Sequence, residues 1–278
     1  MSPVPQAGQS HADQTAQSVY DRIAPAYDDR WARHMREPQD RLTRGLRLVP
    51  GARCADLGCG TGIDTIEMLK QVAPGEVVGV DCSEEMLRAA ERRAADERLS
   101  LATLCTDAES FIHSAEPRSF DVVTLRFCLA YLDWRSSLAR VAPALRPGGR
   151  LGILTNLATS APQAYALYCR MADELGLQKA TLPVPESVEQ MSDLLHRAGL
   201  HVEESWTYRF RLWFATGAEL ADWLQETGFV THPALFELAP EVLAPLVALF
   251  AHRIEAEHRT PRGTPLDFEL AGVIAVAP

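Results

Sequence analysis

The sequence predicts an α/β fold with a mostly parallel sheet and helices on both of its faces. Short apolar segments alternate with amphipathic helical patterns over the first 155 residues, and this alternation is typical of parallel strands joined by crossover helices. A glycine-rich turn, ADLGCGTG at 55–62, directly follows the first apolar segment. The helical pattern after it, from about Ile63, would point its free N–H groups at a bound ligand.

The composition is that of an ordinary globular chain and disfavours several functions. Among 278 residues, 47% are hydrophobic and 23% are charged, which suits a domain with a sizeable core. The net charge of −10 disfavours a nucleic-acid substrate, because no excess of cations neutralises phosphates. No apolar run reaches the roughly 18 residues that span a bilayer, and the N-terminus does not resemble a secretion signal.

The six cysteines occur singly, without a CxxC pair. This distribution does not indicate a zinc site, and no other metal site is predicted. Single reduced thiols fit a cytoplasmic location, which is therefore our expectation.

Turn residues divide the first half of the chain into regular elements. Strands are expected at 52–57, 76–81, 101–105, 120–126 and 149–155, with helices between them at 63–72, 83–97, 107–113 and 135–145. Ser83, followed by two glutamates, has the pattern of a helix N-cap with an acidic first turn. The turn Arg146-Pro147-Gly148-Gly149 is expected to end the last of these helices and lead into the fifth strand.

The remaining segments are expected to complete the sheet and cover one end of it. Residues 1–13 have the composition of a disordered tail, and 14–48 form a helical cap broken by Pro25 and Pro38. Further helices are expected at 160–178, 186–199, 216–228 and 234–258, and further strands at 201–214 and 267–277. We predict a single domain over 14–278, with a ligand-binding core at 49–155, and with helical lid insertions at 157–185 and 216–260 inside the part 156–278.

Four motifs occur in the order and spacing of one enzyme family. They are ADLGCGTG at 55–62, VVGVDCSEEML at 77–87, CTDAESF at 105–111, and FDVVTLRFCLAYL at 120–132 followed by LRPGGRLGIL at 145–154. On these motifs the chain resembles the class I S-adenosylmethionine-dependent methyltransferases, well over 18–155 and loosely beyond. The segment VYDRIAPAYDDRW at 19–31 is similar to the N-terminal helix of the ubiquinone/menaquinone-biosynthesis type. The resemblance implies a Rossmann-like sheet of seven strands.

The resemblance also implies S-adenosylmethionine as the cofactor. Asp56 would hold the methionine ammonium group, directly or through water, and Gly58, Cys59 and Gly60 would form the loop under the methionine and ribose. Asp81 would accept both ribose hydroxyls. The other cofactor-binding residues implied are Cys82, Met86, Asp107 and Ala108 around the adenine, Arg126 and Phe127 beside the methionine, and Tyr20 and Tyr27, which would close over the cofactor.

Several of these assignments have alternatives. The glycine loop could belong to a dinucleotide site, although that pattern is G-x-G-x-x-G rather than the G-x-G-x-G present here. Asp107 could be a surface helix cap, and Tyr20 and Tyr27 could be core aromatics. Arg126 could bind the donor's carboxylate or an anionic substrate group, or it could be a salt-bridged arginine.

The expected reaction is an in-line displacement that needs alignment and exclusion of water more than a catalytic group. The catalytic residue is therefore unknown. The weak candidates are Tyr27, for an unspecified active-site role, and His34 and His232, each as a general base. We predict methylation of O, N or C of a small organic molecule, including natural products, by a chain that binds no nucleic acid and has no membrane span. A homodimer is left open. The alternatives are a cyclisation or decarboxylation on the same scaffold, or a non-catalytic subunit.

Overall fold

The computed structural model describes residues 11–176, 183–229 and 240–278, and these residues contain a seven-stranded sheet. Its strands are β1 (Arg53–Leu57), β2 (Glu76–Asp81), β3 (Ala102–Cys105), β4 (Phe120–Arg126), β5 (Leu145–Asn156), β6 (His201–Phe214) and β7 (Thr264–Val276). Their order across the sheet is β3-β2-β1-β4-β5-β7-β6. Strand β7 is antiparallel to β5 and β6, and the other neighbouring pairs are parallel. The predicted fold class is confirmed.

Helices connect the strands and cover both faces of the sheet. They are α1 (His11–Arg30), α2 (Arg36–Gly45), α3 (Ile63–Val72), α4 (Glu84–Asp96), α5 (Ala108–Ser114), α6 (Trp134–Ala144), α7 (Pro162–Glu174), α8 (Val188–Arg197), α9 (Gly217–Glu226) and α10 (Pro240–His258). Short 3-10 turns at Ala32–His34 and Leu129–Tyr131 follow α1 and β4. In this topology the carboxyl ends of β1, β2 and β4 lie together, where open α/β sheets bind ligands.

The sheet separates two apolar cores. Along β1, Ala55 and Leu57 pack in the core that contains residues of α5, α6 and α8, whereas Cys54 packs in the core that contains residues of α3. Alternate residues of a strand point to opposite faces, so a continuous apolar strand is what a sheet covered on both faces requires.

A third apolar cluster lies around the second half of the sheet. It joins the link after α1 to α7, α9, α10 and strand β7 through buried side chains that include Trp31, Leu167, Trp223, Ile254 and Phe268. We call this group the aromatic cluster, because Trp31, Trp223 and Phe268 have ring centroids within 6 Å of one another.

The N-terminal cap differs from its prediction. Residue 11 already lies in α1, and the helix continues through Pro25 to Arg30; the described chain breaks instead at Trp31–Met35. Proline removes one helical hydrogen bond, but tertiary packing outweighs this cost, because Val19, Ile23 and Ala24 of α1 pack against Met86. Pro38 lies in the first turn of α2, where proline is tolerated.

The fifth strand also begins earlier than expected, at residue 145. Phe120 pairs with Leu145 and Val122 with Arg150, so residues 146–149 bulge out of the ladder. The Pro147-Gly148-Gly149 turn is thus an irregularity within β5 rather than a linker before it. Of the expected helix 234–258, the described part is α10, and residues 177–182 of the first insertion and 230–239 of the second lie outside the described residues.

Candidate functional site

A pocket opens at the carboxyl ends of β1, β2 and β4, under α1. Its walls come from α1, the β1–α3 loop, the ends of β2 and β3, and the segment after β4. The lining residues are Ala16, Tyr20, Tyr27, Gly58, Gly60, Asp81, Cys82, Met86, Asp107, Ala108, Arg126, Phe127, Cys128, Tyr131 and Leu132.

The glycine loop forms the floor of this pocket through backbone alone. Gly58, Gly60 and Gly62 have φ angles of 70°, 53° and 78°, a region that favours glycine. A Cβ on Gly58 would lie 2.7 Å from Cys128 Cβ, and one on Gly62 would lie 2.6 Å from Ala90 Cβ. A Cβ on Gly60 would meet only Tyr27 Cε1, at 4.0 Å. Gly58 and Gly62 therefore permit close packing, whereas Gly60 leaves open space between the loop and Tyr27.

Asp81 ends β2 and places a buried carboxylate on the pocket wall. Its oxygens accept hydrogen bonds from the backbone N–H groups of Gly60 and Ser83, each at 2.9 Å. Burial raises the pKa of Asp81 to about 6, although these two N–H groups act in the opposite direction. The carboxylate is thus fixed in place and still titrates close to neutral pH.

Asp107 occupies the same wall at the end of β3. It is the N-cap of α5, and its Oδ1 accepts from the backbone N–H of Ser110 at 2.7 Å. One carboxylate oxygen of Asp107 therefore caps the helix, as the alternative interpretation proposed. Asp107 also lines the pocket, together with Ala108. Capping α5 and lining the pocket are thus compatible, and the adenine role of Asp107 stays a prediction.

Asp56 lies behind the pocket in a buried ion pair with Arg126. Its Oδ1 accepts from Arg126 Nη1 at 3.0 Å and from Thr124 Oγ1 at 2.5 Å, and its Oδ2 accepts from Thr65 Oγ1 at 2.7 Å. Arg126 Nη2 donates to Thr43 Oγ1 of α2 at 3.2 Å. Both carboxylate oxygens are thus already engaged, and the carboxylate is 1% exposed.

The ion pair leaves one donor of Arg126 without a partner among the described residues. Arg126 Nε is buried and donates no hydrogen bond to any of them, although the residue lines the pocket. The salt-bridged alternative for Arg126 is therefore the observed arrangement, and any contact with a ligand anion would require the side chain to shift.

Three tyrosines line the pocket on the side of α1. Tyr20 and Tyr27 belong to α1, and Tyr131 ends the 3-10 turn after β4. The hydroxyl oxygens of Tyr20 and Tyr131 are 2.9 Å apart. Burial raises the pKa of Tyr27 and of Tyr20 well above the ordinary phenol value. Their hydroxyls are thus neutral donors, which disfavours Tyr27 as a general base.

Phe127 connects the pocket to the aromatic cluster. It follows β4 with a φ of 55°, an uncommon conformation for a residue with a side chain. Its ring meets Trp31 edge to face, with centroids 5.3 Å apart, and the residue also lines the pocket. Such strained residues tend to occur at functional sites, so Phe127 marks the boundary between the pocket and the cluster.

Comparisons with known proteins agree with this geometry. Residues 54–149 match a family described as a methyltransferase domain. The chain is 36% identical over 138 residues to nocamycin O-methyltransferase of Saccharothrix syringae, covering 49% of each protein. It is 30% identical over 177 residues to demethylmenaquinone methyltransferase of Staphylococcus saprophyticus, covering 57% of this chain and 74% of that protein.

The chain belongs to the class I S-adenosylmethionine-dependent methyltransferases. Two solved structures have the same fold: the [4+2]-cyclase SpnF, with a TM-score of 0.63, 17% identity and coverage of 100% of this chain and 99% of that one, and the YcgJ protein of Bacillus subtilis, with a TM-score of 0.60, 15% identity and coverage of 86% and 97%. Against other curated relatives the match is shorter, spanning 49% of nocamycin O-methyltransferase and 60% of a demethylmenaquinone methyltransferase of Lactiplantibacillus plantarum.

The pocket of this chain contains eleven of the thirteen residues assigned to the cofactor from sequence. Asp56 and Cys59 do not line it. The Cys59 side chain turns away toward β2, with Sγ 3.1 Å from the position of a Cβ on Gly79, and burial raises its thiol pKa. Asp56 is enclosed by its ion pair, so the role assigned to each remains a prediction.

Of the weak catalytic candidates other than Tyr27, only His34 is among the residues that the structure describes. His34 is not among the lining residues; its Nε2 accepts from Arg33 Nε at 3.0 Å, and partial burial beside that arginine lowers its pKa. His232 lies outside the described residues. Four lining residues were not expected from sequence, namely Ala16, Cys128, Tyr131 and Leu132. Three of the four follow β4 within the motif 120–132, so the motif itself indicated the segment but not the side chains.

Two further findings concern membrane spans and metal sites. Within the described residues no helix combines the length and apolarity needed to cross a membrane. In that same part of the chain, no group of three or more His, Cys, Asp or Glu side chains is placed to hold a metal ion.

Proposed function

We propose that the chain transfers a methyl group from S-adenosylmethionine to O, N or C of a small organic acceptor. The observation that carries the proposal is the convergence of the glycine loop, Asp81 and Asp107 on one pocket in a chain of this family. These groups come from three separate strand ends. A chance glycine turn would not bring them together.

The pocket residues fit the donor in shape and in chemistry. The open space at Gly60, which a Cβ would enter, suits a ligand that lies directly on the backbone. Asp81 offers a fixed carboxylate for the two ribose hydroxyls, since carboxylates accept several hydrogen bonds. Met86 and Ala108 offer apolar contacts for the adenine, and the carboxylate oxygen of Asp107 that does not cap α5 is suited to its exocyclic amine.

The methionine end of the donor is assigned to Tyr27, Arg126 and Phe127. Because both oxygens of Asp56 are engaged, we propose that Asp56 acts there indirectly, by holding Arg126 and the end of β4 in place. Because the charges of Asp56 and Arg126 neutralise each other, the nearby tyrosines are the groups left to contact a cation. Aromatic faces attract positive charge, which suits a sulfonium beside Tyr20 and Tyr27.

Bound S-adenosylmethionine supplies an electrophilic methyl group on a positively charged sulfur. The residues of the chain then have to orient the two reactants and exclude water. Tyr20, Tyr27 and Tyr131 cover the pocket from one side, and Phe127 separates it from the aromatic cluster. A neutral tyrosine hydroxyl can orient an acceptor without removing its proton.

We propose that the acceptor is apolar and approaches past Phe127, on the side of the aromatic cluster. The relatives named for nocamycin and demethylmenaquinone support an acceptor of the natural-product or quinone class. The net charge of −10 supports exclusion of nucleic acid. A cytoplasmic location and a homodimer are part of the same proposal.

The proposal is tested by incubating the protein with S-adenosylmethionine carrying a labelled methyl group and a panel of quinones, phenols and carboxylic acids. We expect label in one acceptor class and stoichiometric S-adenosylhomocysteine. Gly60→Trp, whose side chain would fill the pocket floor, serves as the negative control. Binding of the donor with no label transfer to any acceptor, together with conversion of an added substrate, would overturn methylation in favour of another reaction.

A further inference from the structure

A hydroxyl pair joins the two sides of the donor pocket. Tyr20 projects from α1, and Tyr131 projects from the segment between β4 and α6. Their hydroxyl oxygens are 2.9 Å apart, and their rings meet edge to face with centroids 5.7 Å apart. Both residues line the pocket, so the contact joins two of its walls.

Helix α1 is held on the other side of the pocket by polar contacts of its own. Asp21 accepts from Ser83 Oγ at 2.6 Å and from the backbone N–H of Glu85 at 3.2 Å, which fixes α1 to the start of α4. Asp28 accepts from Thr61 Oγ1 at 2.5 Å, next to the glycine loop. These contacts set where α1 lies, but they all run to the β1–α4 side.

The Tyr20–Tyr131 contact instead joins α1 to the opposite wall of the pocket, while the end of α1 is held separately, where Trp223 Nε1 donates to the carbonyl oxygen of Arg30 at 2.9 Å. One of the two hydroxyls donates and the other accepts, which either oxygen can do. Since burial raises the pKa of Tyr20 well above its ordinary value, the hydroxyl stays protonated over the working range. The link is thus present at any pH at which the enzyme would act.

We propose that Tyr131 is a positioning residue whose hydroxyl, paired with that of Tyr20, forms a clasp that retains the donor in the pocket. The inference rests on the proposed function, since it presupposes that the pocket binds S-adenosylmethionine. Separation of α1 from the segment after β4 would uncover a ligand that lies under α1. Breaking the clasp should therefore speed its departure more than it slows its arrival.

The test is a double-mutant cycle with Tyr20→Phe, Tyr131→Phe and the double variant. Each change removes one hydroxyl and keeps the ring that packs at the edge-to-face contact. Dissociation of labelled S-adenosylmethionine is followed by rapid filtration after a chase with excess unlabelled compound. A single neutral hydrogen bond corresponds to a rate increase of roughly 2- to 10-fold. The double variant should be no faster than either single variant, because both remove the same bond.

Tyr208→Phe is the matched control. It also removes one tyrosine hydroxyl from a hydrogen bond, to Glu37 Oε2 at 2.8 Å, but outside the donor pocket, so the dissociation rate should stay at the wild-type value. Thermal unfolding midpoints of all variants separate loss of the clasp from loss of the fold. If Tyr131→Phe unfolds, Tyr20→Phe tests the same bond from its other end.

The outcomes distinguish the two proposals. Donor binding by the wild type with unchanged dissociation in both single variants would overturn the clasp and leave the proposed function intact. Strictly additive effects in the double variant would also overturn the clasp, since two independent contacts would then be involved. Failure of the wild type to bind S-adenosylmethionine at all would overturn the proposed function, and the clasp with it.

Discussion

Asp81 should make donor binding dependent on pH in a range where few carboxylates titrate. Burial raises its pKa to about 6, against an ordinary value near 4 for aspartate. The proposed role requires the ionised form, because a protonated carboxyl would direct its own hydrogen at one of the ribose hydroxyls. Lowering the pH through 6 should therefore weaken binding of S-adenosylmethionine, while raising it above 7 should change little.

The size of the effect follows from the fraction of ionised carboxylate. At pH 5 a group with a pKa of about 6 is ionised in roughly one molecule in eleven, so the Kd for the donor should be about tenfold higher than at pH 7.5. Asp81→Asn should bind the donor at least about tenfold more weakly at pH 7.5, because it loses charge-assisted hydrogen bonds worth roughly 1.5 to 3 kcal/mol.

Isothermal calorimetry between pH 5 and 8 measures both effects. The Kd of Asp81→Asn should vary less with pH than that of the wild type. Histidines and the ligand titrate in both proteins, so the difference between the two profiles isolates the contribution of Asp81. Asp121 lies at the opposite end of the sheet, at the start of β4. Asp121→Asn should therefore keep the wild-type dependence of Kd on pH. This reasoning would be refuted by a wild-type Kd that is constant from pH 5 to 8, or by the same dependence of Kd on pH in Asp81→Asn as in the wild type.

Two further predictions concern the buried ion pair and the glycine loop. Asp56→Asn or Arg126→Met should each cost about 3–5 kcal/mol of unfolding free energy, because each leaves the other charge buried alone. The double variant should recover most of this loss when the free energy is measured by urea unfolding. Additive losses in the double variant would contradict the prediction. Gly62→Ala should destabilise the fold by about 2–4 kcal/mol, since its Cβ would meet Ala90 Cβ at 2.6 Å with a positive φ. Gly60→Ala should cost only about 1–2 kcal/mol yet abolish donor binding in calorimetry, and wild-type affinity in that variant would contradict the placement of the donor.

The sheet was predictable because each of its strands is bounded by local signals. Continuous apolar runs that end in Asp56 and Asp81, and turns such as Ala73-Pro74-Gly75, mark strand ends without reference to the rest of the fold. Helix α1 was less predictable, because Pro25 is a strong local breaker. What keeps the helix intact is its contact with α4, more than 50 residues away, and no local pattern contains that contact.

The candidate site could be predicted to the level of residues on strand ends, but not to the level of their partners. Asp56 was expected to face a ligand cation, and Arg126 was expected either to face a ligand anion or to form a salt bridge with an unnamed partner. The register of β1 with β4 places Asp56 beside Thr124, two residues before Arg126, and the arginine reaches back to the carboxylate instead. Residues 70 positions apart in sequence reveal such pairing only when the register is known.

The segment after β4 explains why the sequence identifies the donor better than the acceptor. Arg126, the last residue of β4, belongs to the ion pair. The segment that follows supplies Phe127 to the aromatic cluster, Cys128 to the glycine loop and Tyr131 to the hydroxyl pair. The left-handed backbone at Phe127 reverses the direction in which successive side chains point, so neither the strand period nor the helix period assigns them. The donor side of the pocket is built on regular strand ends, so its residues can be predicted from the spacing of the motifs in the sequence. The acceptor side begins at Phe127, where that spacing no longer predicts the direction of the side chains. Side chains that face the acceptor must therefore be identified by structure or by mutation, beginning with this segment.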